Sequence, residues 1–127
     1  MAEQGPGELV QGLWRAIGGR DWDTAATLLH DDFVQEWPQS GERIVGRDDA
    51  LAVNREFPGG PPHMTVRRAV SGGDLGVMET ELVYADGSRF HGVSIVEVRE
   101  GRIVRETDYF AEPFPAPQWR ARWVQRM

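Results

Sequence analysis

Residues 97–114 read EVREGRIVRETDYFAEPF, and their pattern predicts a β-hairpin. Two alternating segments flank Glu100-Gly101, a dipeptide that suits a tight turn between antiparallel strands. Counting by twos along the second segment puts Glu106, Asp108 and Phe110 on one face, because successive side chains of a strand point to opposite sides. Two acids on the same face as an aromatic ring predict a polar site within an otherwise apolar enclosure.

The rest of the chain places helices before strands. After a loose segment over residues 1–6, helical spacing of apolar residues predicts helices at 7–18, 23–30 and 47–57, with one strand at 33–37. Alternation then predicts strands at 63–70, 75–85, 88–98 and 102–110, joined by glycine-containing turns. Helices followed by a run of antiparallel strands form an α+β pattern. We expect one domain over 1–127, with a C-terminal tail at 116–127.

Composition excludes several classes of function. The 127 residues carry a formal net charge of −6 and contain no cysteine. An acidic chain is a poor match for nucleic acid, which binds basic surfaces. The absence of cysteine excludes disulfides, thiolate zinc sites and a cysteine nucleophile. His30, His63 and His91 lack the spacing of a metal site, so we expect no metal.

The N-terminal residues show no secretory pattern, since a basic segment followed by an apolar one is missing. No stretch approaches the roughly 18 apolar residues that a membrane helix needs. A cytoplasmic protein without membrane partners is therefore expected.

Three segments carry a family resemblance: DDFVQEWPQSGERIVGRDDA at 31–50, the stretch at 97–114, and APQWRARWV at 116–124. Together they resemble the SnoaL-like (polyketide-cyclase-type) domains of the nuclear-transport-factor-2-like superfamily. The resemblance implies three N-terminal helices packed on a highly curved mixed sheet, which forms a cone with an internal cavity. Relatives include ketosteroid isomerase, limonene-epoxide hydrolase, polyketide cyclases and non-catalytic binders, so the fold alone does not define the chemistry.

The resemblance also implies a site inside the cone. Asp108 matches an acid that transfers protons in these enzymes and becomes the candidate catalytic residue. A carboxyl that is desolvated near like charges has a raised pKa, which suits acid–base work. Capping a turn or pairing with an arginine is the structural alternative for Asp108. The candidate ligand-binding residues are Trp37, Asn54, Glu79, Glu81, Phe90, Ser94, Glu106 and Phe110.

The chain departs from the known enzymes at several positions. Epoxide hydrolysis in this superfamily uses an Asp–Arg–Asp set, and the alignment puts Glu79 at the arginine. Val34 and Glu36 stand where a tyrosine and an asparagine hold water, so epoxide hydrolysis is disfavoured. Steroid isomerisation lacks its helix-one tyrosine, since only Trp14 and Leu13 are available there.

Two interpretations remain for the strand at 75–85. The residues alone bury Met78, Leu82 and Tyr84 and leave the glutamates in water. The alignment instead turns Glu79 and Glu81 inward. The apolar side chains would then form an outer strip that predicts a homodimer through the sheet.

The sequence therefore predicts a small-molecule-binding protein for an apolar or aromatic ligand. A cofactor-independent cyclase or isomerase that uses Asp108 is one form of this function. A non-catalytic ligand-binding or dimerisation module is the alternative. The segment WPQSGER at 37–43 is either a lip of the cavity or a plain turn. The tail is either a membrane-type amphipathic segment or a segment that packs its tryptophans on the domain or its dimer mate.

Overall fold

A computed structural model describes residues 4–127 of the chain. Its three α-helices are α1 (Pro6–Gly18), α2 (Trp22–Leu28) and α3 (Arg47–Arg55). Its six strands are β1 (Leu29–Trp37), β2 (Glu42–Val45), β3 (His63–Gly72), β4 (Leu75–Val83), β5 (Arg89–Arg99) and β6 (Arg102–Ala111). A short 3₁₀ helix follows at Gln118–Trp123.

The strands form one open mixed sheet in the order β2-β1-β6-β5-β4-β3. Strands β1 and β6 pair in parallel, and every other neighbouring pair is antiparallel. The sheet curves around a cavity, and the helices pack on its concave face. The predicted α+β cone is thus confirmed, with the sheet left unclosed at β2 and β3.

The hairpin predicted at 97–114 is present as β5 and β6. Glu100 and Gly101 both have positive φ, at 56° and 75°, as expected for the residues of a type I′ turn. The pairing register shifts next to Val104, where Ile103 pairs with Val98 and Arg105 pairs with Glu97. This extra residue resets the alternation, so Ile103 and Glu106 are both buried although three positions separate them.

Helix α1 supplies most of the helical contact with the sheet. Its apolar stripe is buried against the strands. The approach is closest at Gly76 of β4, where an added Cβ would lie 2.6 Å from the Pro6 carbonyl carbon. The buried members of the α1 stripe are Leu9, Val10, Leu13, Ala16 and Ile17.

Several predicted bounds are wrong. Helix α1 begins at Pro6, inside the segment expected to be loose, and residues 1–3 of that segment lie outside the described residues. Helix α2 ends at Leu28, because the chain is already extended from Leu29. Strand β2 was not predicted, since its four residues have no alternation of buried and exposed side chains.

The tail beyond β6 leaves its tryptophans uncovered. Trp119 and Trp123 are 74% and 65% exposed, and Arg122 stacks 4.1 Å from the Trp123 ring centroid. Packing of these tryptophans on their own domain is therefore wrong. Across residues 4–127, no helix is long and apolar enough to cross a membrane.

Candidate functional site

The concave face of the sheet encloses a cavity of about 860 Å³. Its walls come from β1 and β3–β6, from Trp14 of α1, from the end of α3 and from the loops after α3 and β4. The wall is mostly apolar, and a few polar groups interrupt it, as is typical of small-molecule sites. The polar side chains among the lining residues include Gln39, Ser40, Asn54, Thr80, Tyr84, Asp86, Ser88, Ser94 and Asp108.

At the polar end of this cavity, Asp108 accepts hydrogen bonds from three neighbouring side chains. Its Oδ2 accepts hydrogen bonds from Gln35 Nε2 at 2.6 Å and from Trp37 Nε1 at 3.1 Å. Its Oδ1 accepts a hydrogen bond from Ser94 Oγ at 2.7 Å. The residue is 0% exposed, so the carboxyl is shielded from solvent. A carboxylate has acceptor atoms only, so its two oxygens can accept all three of these hydrogen bonds.

Strand pairing explains how these groups meet. Ser94 lies directly opposite Asp108 in the antiparallel β5–β6 ladder. Gln35 lies opposite Glu106 in the parallel β1–β6 pair, so its amide reaches both acids. Trp37 follows two residues later on the same face of β1. Inward polar residues of both neighbouring strands therefore reach the inward acids of β6.

Glu106 is buried beneath the cavity and is 1% exposed. Burial raises its pKa well above the ordinary 4.5, and the nearby charge of Asp108 and a hydrogen bond shared with Asp108 raise it further. Two buried carboxylates side by side repel each other, so burial and the neighbouring acid both favour the protonated form of Glu106.

A water-sized void of about 10 Å³ lies on the far side of Glu106. Within residues 4–127, two polar atoms beside it are buried without a hydrogen-bond partner: Trp14 Nε1 and Glu106 Oε1. Proximity of the indole N–H weakly lowers the pKa of Glu106. The two atoms do not form a hydrogen bond, however, and burial remains the largest influence on the pKa of Glu106.

Aromatic rings line the cavity on the side of its mouth. The ring of Tyr84 lies 5.5 Å from that of Phe57 and 5.3 Å from that of Phe90, centroid to centroid. Burial raises the pKa of the Tyr84 phenol, and the negative charge of Asp108 raises it further. The phenol therefore stays protonated and is available as a hydrogen-bond donor.

Most predicted site residues lie on the cavity wall, namely Trp37, Asn54, Phe90, Ser94, Asp108 and Phe110. The Nδ2 atom of Asn54 already donates to the Ala50 carbonyl of its own helix at 2.9 Å, which leaves its amide oxygen available. Ser94 and Trp37 hydrogen-bond to Asp108, so their polar atoms position the acid.

Three predicted ligand contacts do not lie on this wall. Glu79 and Glu81 point to the convex face, with side chains 40% and 46% exposed, and they pair with Arg68 and Arg67 at 3.2 and 2.8 Å. Inward orientation of these glutamates is wrong because Met78, Thr80 and Leu82 occupy the concave face of β4. Glu106 faces inward but lies below the cavity and beside the small void.

Three functional side chains were not predicted. Gln35 was missed because a polar residue in a strand is normally assigned to solvent, and Tyr84 because the alignment placed it outside. The third is Gln39, which exchanges hydrogen bonds with the backbone N–H and carbonyl of Phe110. That contact joins the 37–43 segment to the end of β6 and makes it one rim of the mouth.

No group of three His, Cys, Asp or Glu side chains able to hold a metal exists within residues 4–127. The site therefore consists of a carboxyl pair, its neutral donors and aromatic walls.

The fold and site define a protein of the nuclear-transport-factor-2-like class. Residues 10–106 match the family model of the SnoaL-like domain, and the chain belongs to that family. Comparison with curated proteins found no match.

Solved structures agree with this placement. An NTF-2 like protein of unknown function from Burkholderia xenovorans LB400 is 40% identical, with a TM-score of 0.82 over 94% of this chain and 93% of that chain. A proposed ketosteroid isomerase from Kribbella flavida DSM 17836 is 34% identical, with a TM-score of 0.88 over 96% and 89%. An LEH-like epoxide hydrolase of M. tuberculosis is 26% identical, with a TM-score of 0.71 over 83% and 81%.

Proposed function

We propose that this chain binds a small, largely apolar molecule inside the cone. The cavity of about 860 Å³ carries this proposal, because its volume is of the size that encloses drug-sized ligands. Its apolar wall supplies burial energy, and its polar end supplies orientation. No cofactor is required for binding of this kind.

Cofactor-independent proton transfer is the second candidate function. The observation that favours it is the buried carboxyl pair, in which Asp108 lies beside Glu106 and burial raises the pKa of Glu106. Asp108 would remove a proton from a carbon next to a carbonyl, and the electrons would move to the carbonyl oxygen. The protonated Tyr84 phenol is the donor available for that oxygen. Return of the proton to another carbon completes an isomerisation. A cyclisation is completed when the enolate attacks a second carbonyl and the resulting alkoxide takes up the proton held by Asp108.

Two observations count against catalysis, one against proton transfer by Asp108 and one against epoxide hydrolysis. Asp108 is fully buried, so proton transfer requires neighbouring side chains such as Ser94 or Trp37 to move, whereas occupation of the apolar part of the cavity does not. No arginine is among the cavity-lining residues of the described chain, which leaves the epoxide-hydrolase set without its central cation. A non-catalytic binding protein is therefore the form of the proposal that needs the fewest rearrangements.

Thermal unfolding with a panel of compounds tests the proposal. The panel contains polycyclic aromatics, steroids, terpene epoxides and hydrophobic amines. A ligand at 100 times its dissociation constant stabilises the folded state by about 2.7 kcal/mol. Val53→Trp fills the cavity from α3 and should remove the effect, while Val45→Trp, on exposed β2, should leave it unchanged. Stabilisation that survives Val53→Trp would place the ligand elsewhere.

A homodimer through the convex face of the sheet is part of the same proposal. The original reason for it is wrong, since Met78 and Leu82 are buried on the concave face. Other side chains support the dimer instead: Val70, Val77 and Ile95 lie in one row across β3, β4 and β5 and are 36–56% exposed. An exposed apolar row can pair with its own copy around a twofold axis.

A further inference from the structure

Within residues 4–127, the charges on the cavity wall have one sign. The charged lining residues of that range are Asp86 and Asp108. All 14 basic Lys/Arg positions of the chain are arginines, and none of them lines the cavity. Both Ser88 groups, the backbone N–H and the hydroxyl, donate to the Asp86 carboxylate and keep it ionised at the mouth.

The Asp108 carboxylate has no positively charged partner among residues 4–127. Gln35, Trp37 and Ser94, which donate hydrogen bonds to it, are neutral, and it takes part in no ion pair within that range. Buried charges in proteins are normally paired, because desolvation of a lone charge is costly. Glu106 cannot balance it, since a carboxyl group carries no positive charge in either protonation state.

Aromatic side chains form much of the cavity wall, and one of them, Trp37, donates a hydrogen bond to Asp108. Trp37, Phe57, Tyr84, Phe90 and Phe110 all line the cavity. The face of an aromatic ring attracts cations, and rings gathered around a pocket recognise ammonium groups in this way. The Phe57–Tyr84–Phe90 cluster, with neighbouring centroids 5.3–5.5 Å apart, forms one continuous aromatic wall.

From this combination we propose that the ligand of the cavity is a cation, specifically a hydrophobic amine or quaternary ammonium compound. Its positive charge lies between the aromatic wall and the Asp108 carboxylate, and its apolar part fills the remaining volume. The inference rests on the proposed binding function and holds whether or not a reaction follows. A bound cation supplies the positive partner that the Asp108 carboxylate lacks among residues 4–127.

Three probes of similar shape and different charge test the inference. They are benzyltrimethylammonium, its uncharged carbon isostere neopentylbenzene, and the anion 4-tert-butylbenzoate, with binding followed by tryptophan fluorescence. We expect the cation to bind at least about tenfold more tightly than the isostere. Asp108→Asn should reduce this preference to less than about threefold without weakening the isostere, and the anion should not bind.

Three other outcomes of the probe comparison would contradict the cation inference. Equal binding of the cation and the isostere, both lost in Val53→Trp, would overturn the cation inference and leave the binding function intact. Tighter binding of the anion would also overturn it. Failure of all three probes would overturn the inference and count against the proposed function. If Asp108→Asn does not fold, the comparison of probes on the wild-type protein decides the question.

Discussion

Three neutral donors surround the Asp108 carboxylate, and the geometry of each indicates which substitution the site will accept. Gln35 and Trp37 both donate to Oδ2 and have no alternative role, because amide and indole N–H groups only donate. Ser94 is a hydroxyl, so it can reverse and accept instead. An asparagine at 108 can therefore keep all three hydrogen bonds, with its oxygen toward Gln35 and Trp37 and its nitrogen toward Ser94.

Asp108→Asn should thus fold with a free energy of unfolding within about 1 kcal/mol of wild type, whereas Asp108→Ala should lose about 3 kcal/mol because buried donors are left unpaired. Urea unfolding followed by fluorescence measures both variants. Equal, large losses in the two variants would show that the charge of Asp108, rather than its acceptor atoms, stabilises the fold.

Glu106 gives a prediction that depends on pH. Its folded pKa is raised above 4.5, so the stability associated with the protonated carboxyl is complete below pH 4.5 and is lost as the pH rises through the folded pKa. Glu106→Gln has no such titration and can still donate to Asp108. The free energy of unfolding of Glu106→Gln relative to wild type should therefore increase with pH from about pH 4.5 upward. Parallel stability curves from pH 4 to pH 9 would contradict a protonated Glu106.

At the scale of elements, the contact between α1 and β4 depends on one glycine. A Cβ on Gly76 would lie 2.6–2.8 Å from backbone atoms of Pro6 and Gly7, and backbone cannot move aside as a flexible side chain can. Gly72, at the end of β3, has no atom within 4 Å of an added Cβ and is a matched control.

We expect Gly76→Ala to destabilise the protein by about 1–3 kcal/mol through overpacking. Gly72→Ala should change stability by no more than about 0.5 kcal/mol. Thermal or urea unfolding of the two variants checks the difference. A loss shared equally by both would mean that strand propensity, and not the contact with α1, is responsible.

The elements also show what a sequence can predict. The hairpin at 97–114 and the inward face of β6 follow from turn residues and alternation, which are local properties. The orientation of β4 was also available from alternation, which buries Met78 and Leu82, but the alignment with enzymes pointed the other way and was wrong. Partners such as Gln35 for Asp108 depend on the parallel β1–β6 pairing, a long-range contact that no local pattern encodes.

For the whole molecule, the convex face of the sheet determines the proposed assembly. The row formed by Val70, Val77 and Ile95 is flanked by the ion pairs of Arg68 with Glu79 and of Arg67 with Glu81. Exposed pairs of this kind add little stability to the monomer. At an interface, they could instead set the register of two copies.

Ile95→Glu should shift the protein from dimer to monomer, because two copies of the charge would meet near the twofold axis without a partner. Val45→Glu on β2, at the opposite edge of the sheet, is the control and should leave the assembly unchanged. Sedimentation velocity over a range of concentrations measures both. A wild-type protein that is monomeric at every concentration would remove the dimer from the proposal.

The central claim, that a small molecule binds inside the cone, is tested most directly by the indole N–H signals in a ¹H–¹⁵N spectrum. The chain has five tryptophans, of which Trp14 and Trp37 line the cavity, while Trp119 and Trp123 are exposed on the tail. Titration with the most stabilising compound of the thermal panel should shift the Trp37 and Trp14 signals and leave those of Trp119 and Trp123 in place. Shifts confined to the tail tryptophans would contradict a ligand site in the cavity.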